Sequence, residues 1–309
     1  MNQDHSAEKL ITILGPTATG KTKLAVQLAF QYNGEIISAD SRQVYRGMDI
    51  GTGKDLSEYN INNITINYHL IDIIDPIEEF NLYLFKKQFN NAFKRIVEQN
   101  KVPFLVGGTG LYLSSVLQNY SLHKVNFEKE KQDSLSLLDL PELQSMLFAL
   151  NPHLHNTTDL LDKERVIKAI IIADEDKNNL LEEIRINHLV IGVLPAGDII
   201  KRRITERLKI RLHNGMIEEV KNLIDKGISL EKLNFFGLEY KYIGLYLNNE
   251  LNFNDMFQKL NSAIHNFAKR QATWFRKMEK EGVKINWIDS ADFEKAKSLI
   301  EPFMDEQKN

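Results

Sequence analysis

The apolar positions in the first 110 residues fall into short unbroken runs, separated by longer stretches of helical period. The runs are Leu10–Leu14, Glu35–Ala39, Tyr68–Ile73 and Val102–Val106, and a fifth, His188–Val193, comes much later. Short apolar runs alternating with amphipathic helices predict a parallel sheet buried on both faces. The expected fold class is α/β, a doubly wound core with helices on both faces of the sheet.

Between about Leu122 and Asn187 the pattern turns mostly helical. Asn151-Pro152 marks a break, and Asp162 to Asp174 reads as one helix. Because a strand-like run follows at His188, this stretch is expected to be inserted into the core. The expected division is 1–121 for the first part of the core, 122–187 for the helical insertion, and 188–309 for the return to the core plus C-terminal helices. After Pro195 the helical segments are Asp198–Gly215, Met216–Lys226 and Asp255–Lys280, and Val283–Ile288 reads as a last strand.

Composition narrows the classes. The 309 residues are 43% hydrophobic and 26% charged, which suits a soluble globular chain. The net charge of -3 means that any nucleic acid must be met by local basic patches. The absence of cysteine excludes disulfides, thiolate metal sites and cysteine nucleophiles. Residues Met1 to Lys9 are polar and carry no signal-peptide pattern, and no apolar run spans a bilayer, so a cytoplasmic location is expected.

The strongest local motif is Gly15-Pro16-Thr17-Ala18-Thr19-Gly20-Lys21-Thr22, which matches the P-loop pattern between a strand and a helix. Its glycines let backbone amides curl round an anion, the helix N-terminus adds partial positive charge, and Lys21 adds a full one. Thr22 is the expected ligand of a Mg²⁺ ion. A nucleotide hydrolase has an Asp at the end of a neighbouring strand. Here Val106 leads into Gly107-Gly108-Thr109-Gly110, a poor metal anchor and a surface suited to close approach. The loop is therefore expected to hold a pyrophosphate without nucleotide hydrolysis as its task.

Asp40 follows the strand-like run Glu35–Ala39, at the carboxyl end where ligands of open α/β sheets sit. A turn cap is an equally good reading of an Asp at this spacing. The stretch Asp40-Ser41-Arg42-Gln43-Val44-Tyr45-Arg46-Gly47-Met48-Asp49-Ile50-Gly51-Thr52, taken with the P-loop, resembles the tRNA dimethylallyltransferase (tRNA isopentenyltransferase) family. So do Tyr68-His69-Leu70-Ile71-Asp72, Gly107 to Tyr112, and Phe267-Ala268-Lys269-Arg270-Gln271 with Thr273-Trp274. The motifs occur in the family's order over nearly the whole chain.

The resemblance implies transfer of dimethylallyl from its diphosphate to the exocyclic amine of the adenosine 3′ to the anticodon in tRNA. Carried over by position, Asp40 accepts the amine's proton and Thr109 stands at the same reaction centre. Ser41, Arg42 and Gln43 fall where the family touches tRNA. Arg203 and Arg207, on one helix with Arg211, match recurring arginines and are expected near the donor pyrophosphate. Lys269 and Arg270 are expected to meet RNA phosphates, as are Arg165 and Lys168 in the insertion. The implied partners are a tRNA anticodon stem-loop and dimethylallyl diphosphate, with Mg²⁺ as cofactor, no membrane, and a monomeric enzyme.

The chain departs from the family in places. The insertion carries more Asp and Glu than Lys and Arg. Where the family reads Arg-Val-x-Arg-Ala-Leu-Glu, this chain has Arg165-Val166-Ile167-Lys168-Ala169-Ile170-Ile171, and the family's glycine before Tyr240-Lys241 is Glu239. Trp274 is expected to pack rather than stack on a base, and His69 reads equally as structural or substrate-contacting. Three other functions fit parts of the sequence: prenylation of free adenine nucleotides, small-molecule phosphorylation, and non-enzymatic RNA binding.

Overall fold

The computed structural model describes residues 7–125, 127–151, 158–174 and 180–306. In chain order the elements begin with β1 (Glu8–Leu14), α1 (Lys21–Gln31), β2 (Gly34–Ala39), a small hairpin of β3 (Asn60–Ile61) and β4 (Ile64–Thr65), and β5 (Tyr68–His69). Then come α2 (Leu82–Glu98), β6 (Val102–Gly107), α3 (Gly110–Leu117), α4 (Lys129–Ser136), α5 (Leu140–Leu150) and α6 (Lys163–Asp174). The remainder is β7 (Ile186–Val193), α7 (Gly197–His213), α8 (Met216–Asp225), α9 (Leu230–Phe236), α10 (Leu238–Leu247), α11 (Phe253–Lys280), β8 (Ile285–Ile288) and α12 (Phe293–Asp305).

Six strands form one parallel sheet in the order β5-β2-β6-β1-β7-β8. Successive side chains of a strand point to opposite faces, and both faces are apolar here. Ile11 and Ile13 of β1 join Leu24 and Leu28 of α1 and Ile300 and Phe303 of α12 on one face. Leu10 and Leu14 join Phe85, Phe89 and Phe93 of α2 and the buried faces of α7, α8, α10 and α11 on the other. Side-chain caps fix several helix starts: Asn81 for α2, Asn252 for α11 and Asp292 for α12.

The expected α/β core is present, with differences in the elements, among them the added helix α12, the β3–β4 hairpin and a last strand that begins at Ile285 rather than Val283. The run Tyr68–Ile73 is a strand only through His69, because Leu70 and Asp72 adopt positive φ (64° and 56°) and turn the chain. That turn has a purpose: it brings the Asp72 carboxylate onto the buried Lys54 ammonium, which Asp49 also meets at 2.6 Å. The chain between Lys226 and Asp255, left without elements by the hydrophobic pattern, forms α9 and α10.

The chain divides into two compact units, Met1–Tyr120 with Ile184–Asn309, and Ser121–Glu183. The smaller unit packs Leu143 and Leu147 of α5 against Val166, Ile170 and Ile171 of α6. Ile171, a departure from the family pattern, is thus a core residue of this unit. Arg165 and Lys168 lie on the exposed side of the same helix. Of the expected Asn151-Pro152 break, Asn151 is the C-cap of α5, and Pro152 lies outside the described residues.

Glu35, near the start of β2, is buried and bonded to Lys101 (2.5 Å), His69 (2.7 Å) and Asn67 (2.8 Å). His69 therefore has a structural place, near the beginning of β2 rather than its carboxyl end. Burial alone would raise the Glu35 carboxyl, but hydrogen bonds from Lys101, Asn67 and His69 outweigh it and hold the pKa at about 2. A carboxyl depressed on folding contributes stability that is full above its unfolded value of 4.5 and is lost as pH falls through about 2. Glu35→Gln is expected to cost about 1.5–3 kcal/mol at neutral pH and to flatten the pH dependence of stability in that acid window. Urea denaturation at pH 7, 4.5 and 3 checks both.

Candidate active site

Strands β1 and β2 flank β6, and all three end together: Leu14 and Ala39 both pair with Gly107. The segments that leave them are Gly15 to Gly20, Asp40 onward, and Gly108-Thr109. Parallel strands thus deliver three loops to one edge of the sheet, where open α/β folds bind ligands.

The first loop enters α1 through Gly20 at φ 87°, and no side chain caps the helix. Its first-turn amides are left for an anion. Thr19 closes the loop on itself by donating to the Pro16 carbonyl at 3.0 Å, and Lys21 Nζ lies 3.3 Å from the same oxygen. Helix α7 lies against this loop. Arg207 donates to the Thr17 hydroxyl, and Arg203 Nη1 reaches the Thr19 carbonyl at 3.5 Å. Arg211, one turn further, does not join them as a free cation. It is buried and paired with Asp55 at 3.0 Å, with its Nε left unpartnered.

These charges act on one another. Burial, and then repulsion by Arg207, lowers the Lys21 pKa to about 8, while Asp40 and Glu58 pull it upward. Burial, and then repulsion by Arg211, lowers Arg207 to about 10, opposed by Glu239, Asp55 and Glu58. The arrangement is a cluster of cations around the P-loop, with carboxylates around it.

Asp40 caps its own turn and lies within electrostatic reach of the P-loop lysine. Its Oδ1 accepts from the Arg42 amide at 2.9 Å, as a turn cap does, and its charge acts on Lys21. Thr109 sits beside it: its hydroxyl accepts from the Ser41 amide at 3.1 Å and its own amide donates to Ala39 O at 3.2 Å. Arg42 stacks over the Phe235 ring at 4.8 Å. Gln43 differs from its neighbours. Its amide is used up inside the protein, accepting from Ser38 at 3.0 Å and donating to Gly53 O at 3.1 Å.

Lys269 and Arg270 are exposed on α11, and Arg270 with Lys259 lines an open groove between α10 and α11. Trp274 packs, with its Nε1 donating to Ser114 at 3.0 Å. Three residues near the P-loop were not singled out from the sequence as site residues: Gln271, Asp55 and Glu58. Gln271 is the most telling. Its Oε1 accepts from the Thr17 amide at 2.9 Å and its Nε2 donates to Gly108 O at 2.8 Å. A Cβ on Gly108 would lie 2.4 Å from that amide nitrogen and would push the Gln271 side chain off its bonds.

Comparison with known proteins gives one answer. The model of the IPP transferase family matches residues 43–278, and that of the isopentenyl transferases matches residues 8–69. A tRNA dimethylallyltransferase 1 of Syntrophus aciditrophicus is 50% identical over 297 residues, 95% of this chain and 97% of that one. Another from Geotalea daltonii is 52% identical over 283 residues, 91% of each. The crystal structure of a full-length tRNA isopentenylpyrophosphate transferase from Bacillus halodurans superposes with a TM-score of 0.69 at 33% identity, covering 96% of this chain and 95% of that one.

The depressed Lys21 ammonium sets a pH window. It is charged below about 8 and loses its proton as pH rises through that value. Inorganic diphosphate is expected to bind the wild type more tightly than Lys21→Met at pH 6.5, with the advantage shrinking above pH 8. Calorimetric titrations of both proteins across this range check it, and a constant ratio would remove Lys21 from the anion site.

Proposed function

The chain belongs to the IPP transferase family, and on that premise we propose that it transfers a dimethylallyl group from dimethylallyl diphosphate to the exocyclic amine of the adenosine 3′ to the anticodon in tRNA. The observation that supports this most is that the P-loop and the Asp40 loop leave strands whose last residues, Leu14 and Ala39, both pair with Gly107, with the Asp40 charge felt at Lys21. This supports reading the anion cradle and a proton acceptor as parts of one site.

In this reading the donor diphosphate lies on the amides of Gly15–Gly20, with Lys21, Arg207 and Arg203 around it. The adenosine is extruded from the anticodon loop, because its amine is out of reach in the stack. That amine is a poor nucleophile, its lone pair delocalised into the ring. Asp40 orients it and takes its proton as the N–C bond forms and the C–O bond to diphosphate breaks. Thr109 steadies the loop that carries Asp40. The charge that grows on the leaving diphosphate is met by Lys21, Arg207 and the loop amides. Water must be kept from the allylic carbon while it carries positive charge.

The oxygen donors present suit a magnesium ion. Among the described residues no three His, Cys, Asp or Glu side chains cluster as a metal cage. Magnesium bound with a phosphate substrate needs only one or two protein oxygens and takes the rest from phosphate and water. Thr22 would hold it, and bound there it would neutralise charge on the diphosphate. Ser41, Arg42, Lys269 and Arg270 are proposed to touch the RNA, as are Arg165 and Lys168 in the inserted unit. Gln43 is proposed to act there through the loop it braces. Among the described residues no helix is long and apolar enough to cross a membrane.

Mass spectrometry of an unmodified anticodon stem-loop incubated with enzyme, Mg²⁺ and dimethylallyl diphosphate tests the activity. A mass gain of one dimethylallyl group on the adenosine is expected. Transfer to AMP in preference to the stem-loop would overturn the acceptor. Asp40→Ala is expected to cut turnover by at least ~10²-fold while leaving stem-loop affinity largely intact, read by single-turnover kinetics and filter binding.

A further inference from the structure

The buried stripe of α11 runs through Leu260, Ile264, Ala268, Phe275 and Met278, three or four residues apart, and Gln271 occupies the place in it where another apolar side chain belongs. Packing alone would put an apolar residue there, because a buried amide is costly unless its polar atoms are paired. This amide is paired at both ends with backbone. Its Oε1 accepts from the Thr17 amide at 2.9 Å and its Nε2 donates to Gly108 O at 2.8 Å. The turn it holds lies against the start of the P-loop, since a Cβ on Gly108 would come within 3.2 Å of Gly15 O. One turn further along α11, Trp274 backs the same turn: its ring leaves no room for a Cβ on Gly110, and its Nε1 donates to Ser114 at 3.0 Å. Beyond Gly108, Thr109 bonds both residues that flank Asp40. Its amide donates to Ala39 O at 3.2 Å and its hydroxyl accepts from the Ser41 amide at 3.1 Å. Lys269 and Arg270, which precede Gln271 in the chain, are exposed, whereas Gln271 is turned inward.

We propose that Gln271 is a positioning residue for the transfer: through Thr17 and Gly108 it sets the loop that holds the diphosphate at a fixed spacing from the turn that carries Asp40. This role rests on the reaction proposed above and names what fixes its geometry. The Gln271 amide is spent on backbone at both ends, so it acts through the two loops and touches neither substrate. A displacement in which the amine attacks one face of a carbon while diphosphate leaves the other tolerates little error in that spacing. A misplacement of about 1 Å costs about 10²-fold in rate. An apolar side chain at 271 would fill the stripe and leave the Thr17 amide and Gly108 O without their shared partner, free to move relative to one another.

The test uses full-length enzyme, Mg²⁺, dimethylallyl diphosphate and the unmodified anticodon stem-loop, read by single-turnover kinetics with both substrates saturating. Gln271→Met keeps the length of the side chain and removes both bonds. It is expected to lower the transfer rate by about 10- to 100-fold, with the donor concentration for half-maximal rate and the stem-loop Kd within about threefold of wild type. Gln271→Glu gives the sharper reading. When protonated, its carboxyl accepts from the Thr17 amide and donates to Gly108 O, as the native amide does. When ionised, it has no proton for Gly108 O and the brace opens. Burial raises a carboxyl's pKa, so the rate of Gln271→Glu relative to wild type is expected to climb as pH falls from about 8 to about 5.5. The ratio for Gln271→Met should stay flat, and dividing by the wild-type rate at each pH removes the titrations that the proteins share. A flat ratio for Gln271→Glu would overturn the role, as would a loss confined to donor or stem-loop affinity. Should Gln271→Met fail to fold by circular dichroism, the pH course of Gln271→Glu decides alone. If the wild type transfers nothing to the stem-loop, the proposed function fails and this role with it. If the wild type transfers and Gln271→Met keeps pace with it, only this role fails.

Discussion

One buried side-chain amide holds the two halves of the site in register. Gln271 takes the Thr17 amide with its oxygen and gives its N–H to Gly108 O, so the P-loop and the loop after β6 share a single brace from α11. Both polar ends are spent and the residue is buried, so neither loop can shift without leaving an amide unsatisfied in the interior. Thr109, next in the chain, carries that fixed position across to the Asp40 loop through its hydroxyl and amide. The spacing between the P-loop and the Asp40 loop is therefore set by a short chain of hydrogen bonds between rigid elements. This is the geometry that a displacement between two bound substrates demands.

The charges on this frame explain why an anion is wanted there. Lys21, Arg207 and Arg211 repel one another, and burial adds to the cost of keeping them charged. Asp55 relieves Arg211 directly, and Asp40, Glu58 and Glu239 relieve the others at longer range. A diphosphate on the loop would remove the repulsion between Lys21 and Arg207 and bring the ammonium back toward its ordinary pKa. The binding free energy then contains the relief of a strained charge distribution as well as the new contacts.

Much of this was legible in the sequence, for physical reasons that can be named. The apolar runs of β1, β2 and β6 are buried on both faces, so they stand out whatever their neighbours, and the P-loop is a local motif whose meaning depends only on the strand before it and the helix after it. Tyr68–Ile73 was read too long because two left-handed residues, Leu70 and Asp72, end the strand, and nothing in their side chains announces this. Helix α10 was missed because its sequence, Leu238 to Leu247, is largely apolar or aromatic and shows little helical contrast. Gln271 was visible only as a letter in a motif. Its two partners lie 254 and 163 positions away, and a contact of that range is a property of the fold. Arg211 shares its helix with Arg203 and Arg207 in the sequence, and the Asp55 that takes it up belongs to a loop the helical pattern cannot see.

Glu239 shows why a departure from a family pattern is best judged in the folded chain. From the sequence, a glutamate in place of glycine is a loss of backbone freedom. At residue 239 that freedom is not needed: the backbone is already helical, and the unusual conformation belongs to Gly237, at φ 125°. What changes is the charge near the P-loop cations: a glycine would leave Arg207 with one counter-charge fewer. The substitution therefore tunes the surroundings of those cations. The same reasoning separates it from Ile171, where the family's charged residue has been replaced in the interior of the inserted unit and the gain is apolar packing alone.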